Sequence, residues 1–350
     1  MAKSEERGEE LRAPSSRFAT RDSRVVVIQT AFLGDVVLTT GLLTELAGRF
    51  GPADLVTTRA AAPLLETHPA VSRVLVYDKR GADRGLGGLV RTAQTLRRAG
   101  YARAYIPHRS VRSAALALLA GIPERTGFAG SPGAWGYTRS VPRPDQGHEA
   151  ERILALAEPQ AGVPARVALG LTAQDRHEAG AWLAANGVAE PFVALAPGSI
   201  WETKRWPWYA ELAERMAEPV VIVGGPEDRA LGDAIAAAAP GRVHVAAGAL
   251  SLRGSAALLQ RALVLVTNDS APLHLASAVG TRTVAIFGPT IPGFGFGPRG
   301  DADRIVELAG LPCRPCSSHG PQVCPLGHHR CMRDLRVEAV LDAVRGSSGQ

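Results

Sequence analysis

Short runs of aliphatic and β-branched residues, each broken by a glycine, a proline or small polar residues, alternate along the chain with stretches of helical periodicity. The first run, residues 24–30, reads as a strand buried on both faces, because a parallel strand covered by helices has no polar side to show. It breaks at residues 31–35, and an apolar helix is expected over 36–50. Further strands are expected over 54–58, 73–77 and 102–107, with helices over 89–99 and 113–120. Residues 121–147 carry so many glycines and prolines that they read as an irregular loop, long enough to wall a binding site. A helix over 148–157 and a linker over 158–171 close this half.

The second half repeats the alternation. Helices are expected over 173–186, 208–216 and 252–261, and strands over 192–196, 219–223, 243–246 and 263–267. A further helix opens near Ser270 and stops at Gly280, before a strand over 283–287. The pattern predicts an α/β protein with two facing, doubly wound, Rossmann-like parallel sheets. The domains are set at 23–160 and 161–310, followed by a cysteine-rich segment and C-terminal helix over 311–350. Residues 1–22 are charged, lack an apolar pattern and read as a disordered leader.

Open α/β sheets bind ligands at the carboxyl ends of their strands, so the chemistry is sought in those turns. Three strand ends of the second half, after residues 196, 223 and 267, converge on one edge. The turn Asn268-Asp-Ser-Ala-Pro272 has helix-capping residue types and a first-turn proline, a helix end whose free amides suit an anion. Taken alone, this turn fits an ordinary capped helix better than a ligand site. Lys204 is one of three lysines in a chain with 39 Lys and Arg, and it follows the Pro197-Gly-Ser199 turn. A compact point charge there suits a diphosphate. Asp35, at the first strand-to-helix turn, fits either a helix N-cap or a functional carboxylate.

Net charge is +6, but residues 1–155 hold 22 Lys and Arg against 15 Asp and Glu, whereas the remainder holds 17 against 18. The basic excess lies in the first half and favours an anionic partner there. Aromatic–basic interleaving and helix–turn–helix patterning are missing, so nucleic acid is not the expected partner. No apolar run spans a bilayer and the N-terminus has no signal core, which points to the cytoplasm and reduced thiols. The P-loop, dinucleotide and nucleophile-elbow signatures are also missing, which disfavours kinases, dehydrogenases and esterases. An Asp301-Ala-Asp303 pair falls in a glycine-flanked loop after the last clear strand and reads as solvated surface.

The elements Phe32-Leu-Gly-Asp35, Ala196-Pro-Gly-Ser199, Lys204-Arg-Trp-Pro207, Val223-Gly-Gly-Pro-Glu227, Asn268-Asp-Ser-Ala-Pro-Leu-His274 and Phe287-Gly-Pro-Thr290 resemble the ADP-heptose:lipopolysaccharide heptosyltransferases. These are glycosyltransferases of the GT-B fold, and the resemblance runs from about residue 24 to 345. Within the family, Ile106-Pro-His-Arg-Ser110, Gly121-Ile-Pro-Glu-Arg-Thr-Gly127 and the cysteine-rich tail are most similar to the heptosyltransferase II branch. The resemblance implies inverting transfer of heptose from ADP-heptose to the lipopolysaccharide inner core, with heptose I the expected acceptor. No cofactor is implied for the chemistry.

By the same resemblance, Asp35 matches the general base and Lys204 the cation that neutralises the leaving diphosphate. Ser199, Asp269, Ser270, Ala271, Pro272 and His274 would complete the donor site, and Glu227 would contact the ribose. Phe32, Gly34 and His148 are assigned to the acceptor side. Arg59, Arg109 and Arg112 are added there on charge alone. An enzyme of this kind would touch the inner face of the cytoplasmic membrane peripherally. A UDP-sugar epimerase and a catalytically silent sugar-nucleotide or glycolipid binder on the same fold are the rival readings. Cys313, Cys316, Cys324 and Cys331, with three histidines among them, fit both a structural zinc knuckle and reduced thiols.

Overall fold

The computed structural model describes residues 24–346; the expected leader lies outside the described residues. Twelve strands form two six-stranded parallel sheets. The first contains β1 (Val25–Ile28), β2 (Ala53–Thr57), β3 (Val71–Val76), β4 (Arg103–Ile106), β5 (Glu124–Phe128) and β6 (Arg139–Val141). The second contains β7 (Val193–Ala196), β8 (Val220–Ile222), β9 (Val243–Val245), β10 (Val264–Asn268), β11 (Thr283–Phe287) and β12 (Arg304–Glu307). Their spatial orders are β3-β2-β1-β4-β5-β6 and β9-β8-β7-β10-β11-β12. Both follow the dinucleotide-fold order, which reverses direction between its first and fourth strands. Each sheet therefore has one switch point, between β1 and β4 in the first and between β7 and β10 in the second.

The helices of the first half are α1 (Leu33–Leu38), α2 (Thr40–Phe50), α3 (Ala62–Leu65), α4 (Gly85–Ala99), α5 (Val111–Leu119) and α6 (Glu149–Leu154). Those of the second are α7 (Ala173–Ala185), α8 (Tyr209–Glu214), α9 (Arg229–Ala238), α10 (Leu252–Arg261), α11 (Ala271–Val279), α12 (Arg330–Arg333) and α13 (Val337–Arg345). They cover both faces of both sheets, which is why the central strands read as unbroken apolar runs. Val25 and Val27 of β1 enter a core that also holds Phe192 and Ala194 of the second half, while Val26 and Ile28 pack on the opposite face. On the outer face of the second sheet, Met332, Leu335, Val340, Leu341 and Val344 share a core with β7, β8, β10 and β11. Among the described residues no helix is long and apolar enough to cross a membrane.

Three expectations need correction. The loop over 121–147 contains β5 and β6; Gly127 punctuates the sequence there because Tyr137 lies where its Cβ would be, at 2.2 Å, a close approach inside a strand. The helix over 36–50 is two helices meeting at Thr39. The hydroxyls of Thr39 and Thr40 donate back to the carbonyls of Asp35 and Val37, both at 2.7 Å, a pattern that bends helices. The Asp301–Asp303 loop is followed by β12. The Asp303 carboxylate takes the N–H groups of Thr283 at 2.7 Å and Gly300 at 2.6 Å, so this acid ties a strand end while Asp301 stays exposed.

Candidate active site

Most of the residues singled out by sequence fall on the two switch points, whereas Arg59 follows β2, Glu227 follows β8 and His148 precedes α6. Asp35 follows β1, Arg109 and Arg112 follow β4, Ser199 and Lys204 follow β7, and Asp269 to His274 follow β10. The halves meet there through α1 and α11.

Asp35 is the third residue of α1 and not its cap, because the helix opens at Leu33. Its half-buried carboxylate accepts the Phe32 N–H at 3.2 Å. Burial, and then the nearby negative charge of Glu149, push its pKa from 3.8 to about 6, against the pull of the Phe32 amide. A carboxylate poised near neutrality is the type a general base requires. The folded state penalises the charged form, so the sign for stability is set. Asp35→Asn should stabilise the protein above about pH 6, and the gain should vanish below about pH 4, where the unfolded carboxyl is also protonated. Urea melts at both pH values measure this.

On the opposing side the Lys204 ammonium donates to the Asp269 carboxylate at 2.6 Å and the Asp269 carbonyl at 3.1 Å, with both side chains largely buried. Thr290 donates to the same carboxylate at 2.7 Å. Asn268 holds the turns together: its amide donates to Pro197 O at 2.8 Å, and its oxygen accepts Trp206 N–H and the Tyr209 hydroxyl, both at 3.2 Å. Ser270 occupies the N-cap position of α11 but gives it no side-chain hydrogen bond; Pro272 has no N–H and the Leu273 N–H donates to Ser270 O at 3.1 Å, so Ala271 carries the open amide of the first turn. Ser199 Oγ accepts Trp201 N–H at 3.2 Å, and Gly198 is kept free of a side chain by the Asp228 carboxylate, 2.1 Å from where its Cβ would be. Glu227 is exposed beside it.

The two sides touch at Gly34 and His274. A Cβ on Gly34 would sit 2.5 Å from His274 Cδ2, so only glycine allows α1 this close to α11. His274 is buried, its Nδ1 finds no partner among the described residues, and burial drives its pKa down to about 4, leaving a neutral ring. Gly34→Ala should cost about 1–3 kcal/mol by overpacking. Adding His274→Ala should recover most of that, a coupling that a double-mutant cycle of urea melts reads directly.

A sequence model of glycosyltransferase family 9 (heptosyltransferase) matches residues 89–325, more than half of the chain. The chain belongs to glycosyltransferase family 9. It is a glycosyltransferase, and its two sheets form the GT-B fold. It is 28% identical to lipopolysaccharide heptosyltransferase 2 of Escherichia coli (strain K12), over 92% of this chain and 97% of that one. It is 30% identical to lipopolysaccharide heptosyltransferase 1 of Pseudomonas aeruginosa, over 92% and 94%. Among solved structures it resembles the ADP-heptose lps heptosyltransferase II of E. coli (25% identity, TM-score 0.75, covering 93% of this chain and 98% of that one). It also resembles the family 9 glycosyltransferase of Veillonella parvula DSM 2008 in fold (24% identity, TM-score 0.81, covering 92% and 96%).

In this glycosyltransferase the arginines assigned by charge are unequal. Arg59 is exposed and pairs with Asp78 at 3.3 Å. Arg109 donates to Gly130 O at 3.0 Å. Arg112 donates to the Tyr77 hydroxyl and to the carbonyls of Asp83 (2.9 Å) and Gly85 (2.7 Å), so it secures the loop before α4. Phe32 is exposed at the mouth. His148 caps α6: its Nδ1 accepts from Ala150 N–H (3.1 Å) and Arg299 (2.9 Å), which leaves Nε2–H to donate to Gly297 O at 3.0 Å. Its ring is thus a strut to the second half, held neutral by burial and then by Arg299, with a pKa of about 4.

Of the two readings of the four cysteines, the zinc knuckle finds no support. Cys313, Cys316, Cys324 and Cys331 are free, and among the described residues no group of three or more His, Cys, Asp or Glu is arranged to hold a metal ion. Cys331 is buried and its pKa is pushed up to about 11, chiefly by burial. Sequence reasoning missed Asn268 and Thr290 as organisers of the turns around Lys204 and Asp269. It also missed Glu149, whose charge reaches Asp35 because α6 folds back beside α1.

Proposed function

We propose that this glycosyltransferase moves heptose from ADP-heptose to a hydroxyl of the lipopolysaccharide inner core, heptose I being the acceptor, with inversion at the anomeric carbon. The observation that carries this reading is the Gly34–His274 contact, which puts Asp35 on one side and Lys204, Asp269 and the uncapped end of α11 on the other. The names of the relatives at 28% and 30% identity, and of the E. coli ADP-heptose enzyme, support the donor and the acceptor class.

In the proposed reaction Asp35 takes the proton of the acceptor hydroxyl as its oxygen bonds to the anomeric carbon. The bond from that carbon to the diphosphate breaks, and ADP leaves with the electron pair. Lys204, released from Asp269, and the amides of Ser270 and Ala271 meet the growing negative charge. Ser199 borders this cradle and Glu227 reaches the ribose. Exposed Arg59 and Arg109 hold acidic groups of the acceptor, and the basic excess of the first half draws the enzyme to the inner face of the cytoplasmic membrane. The expected result is release of ADP when ADP-heptose and a heptose-deficient core acceptor are supplied together, with neither alone sufficient. No ADP from the complete mixture would overturn the reading.

A further inference from the structure

The cysteine-rich segment carries one side chain into the cleft. The ring of His319 stacks on Trp201, centroids 6.2 Å apart and planes 11° from parallel, and its other neighbour is Phe32, also at 6.2 Å. Trp201 lies three residues before Lys204, and Phe32 provides the N–H that Asp35 accepts. His319 thus makes ring contacts with both halves at once. The next residue, Gly320, adopts φ +80° and lies against the lysine stem; a Cβ there would be 3.4 Å from Lys204 Cγ and Cε and 3.1 Å from Pro289.

The ring is held in place from both ends. Cys316 N–H donates to Pro289 O at 2.8 Å, and Ser317 Oγ accepts Gly320 N–H at 2.9 Å. Beyond the ring, Thr203 donates to Pro321 O, while Gln322 donates to Ile200 O at 2.9 Å and accepts Glu202 N–H at 3.1 Å. His319 itself is exposed, and neither ring nitrogen has a hydrogen-bond partner among the described residues. An imidazole N–H held on the rim of an anion site, one residue from the lysine that serves it, is a preorganised donor with no internal acceptor.

We infer that His319 binds the outer phosphate of the nucleotide-sugar donor's diphosphate, giving it a hydrogen bond from the cysteine-rich segment. This rests on the donor reading above and adds a residue from a segment otherwise known only for its cysteines. The test compares ADP with AMP, which lacks the second phosphate, by titration calorimetry on the full chain. His319→Ala should weaken ADP about tenfold and leave AMP unchanged, as loss of a hydrogen bond to a charged group does. His319→Gln, which keeps an N–H donor, should recover part of the loss. Equal losses for ADP and AMP would make His319 a mere packing residue, and unchanged ADP binding with a raised acceptor KM would move it to the acceptor; either overturns the inference alone. If the unsubstituted chain does not bind ADP, the donor reading falls and takes this one with it.

Discussion

Asp35→Ala is expected to lower turnover by about 10²- to 10⁴-fold, the share a general base contributes, while ADP binds with unchanged affinity. The split follows from where the residue stands. Asp35 belongs to α1, on the first-sheet side of the Gly34–His274 contact, and none of its polar contacts reaches the Lys204–Asp269 pair. Its raised pKa gives a second signature: kcat/KM should climb with pH and level off above about 6, because the base must be ionised to act. Asp35→Asn should be as inactive as Asp35→Ala yet better folded at high pH, which separates lost chemistry from lost structure. An alanine variant that turns over normally would remove the base from the mechanism.

Lys204→Ala should fail differently. It removes the cation from the leaving group, so ADP affinity and turnover should both drop, ADP by about ten- to a hundredfold. It also leaves the Asp269 carboxylate buried with only Thr290 as a side-chain donor, and breaking a buried pair costs about 3–5 kcal/mol. Lys204→Ala combined with Asp269→Asn should therefore regain most of the stability and none of the ADP affinity. Lys204→Arg is not expected to rescue either property, since a larger planar guanidinium does not reproduce the compact ammonium that bonds both the carboxylate and the carbonyl of Asp269. Restored activity in the arginine variant would show that charge alone suffices there.

What the sequence made legible follows from burial. β1, β7, β10 and β11 are buried end to end and stood out as apolar runs, with β11 ending where the pattern ends. β5 and β6 escaped notice because they lie toward a sheet edge and carry exposed charged residues. Asp35, Lys204 and the α11 turn were found because each sits just past a strand end, a local feature. The Gly34–His274 contact, the reach of Glu149 to Asp35 and the seat of His319 between Trp201 and Phe32 join residues far apart in the chain. Nothing local marks any of them. The break at Thr39 lay between: two adjacent threonines were visible, but not that Gln29 donates to one hydroxyl and Ala168 to the other.

The packing of α13 and the residues before it into the outer core of the second sheet has a consequence for how the protein comes into being. Met332, Leu335, Val340 and Val344 fill space beside β7, a strand laid down much earlier on the ribosome. The strands of the first sheet all lie within residues 25–141 and can pair while translation continues, as leading domains generally do, while one face of β1 waits for Phe192 and Ala194 to complete its core. The second sheet must wait with an open flank until its closing segment emerges, so the strand order that carries Asp35 is in place well before the half that carries Lys204 and Asp269 is closed.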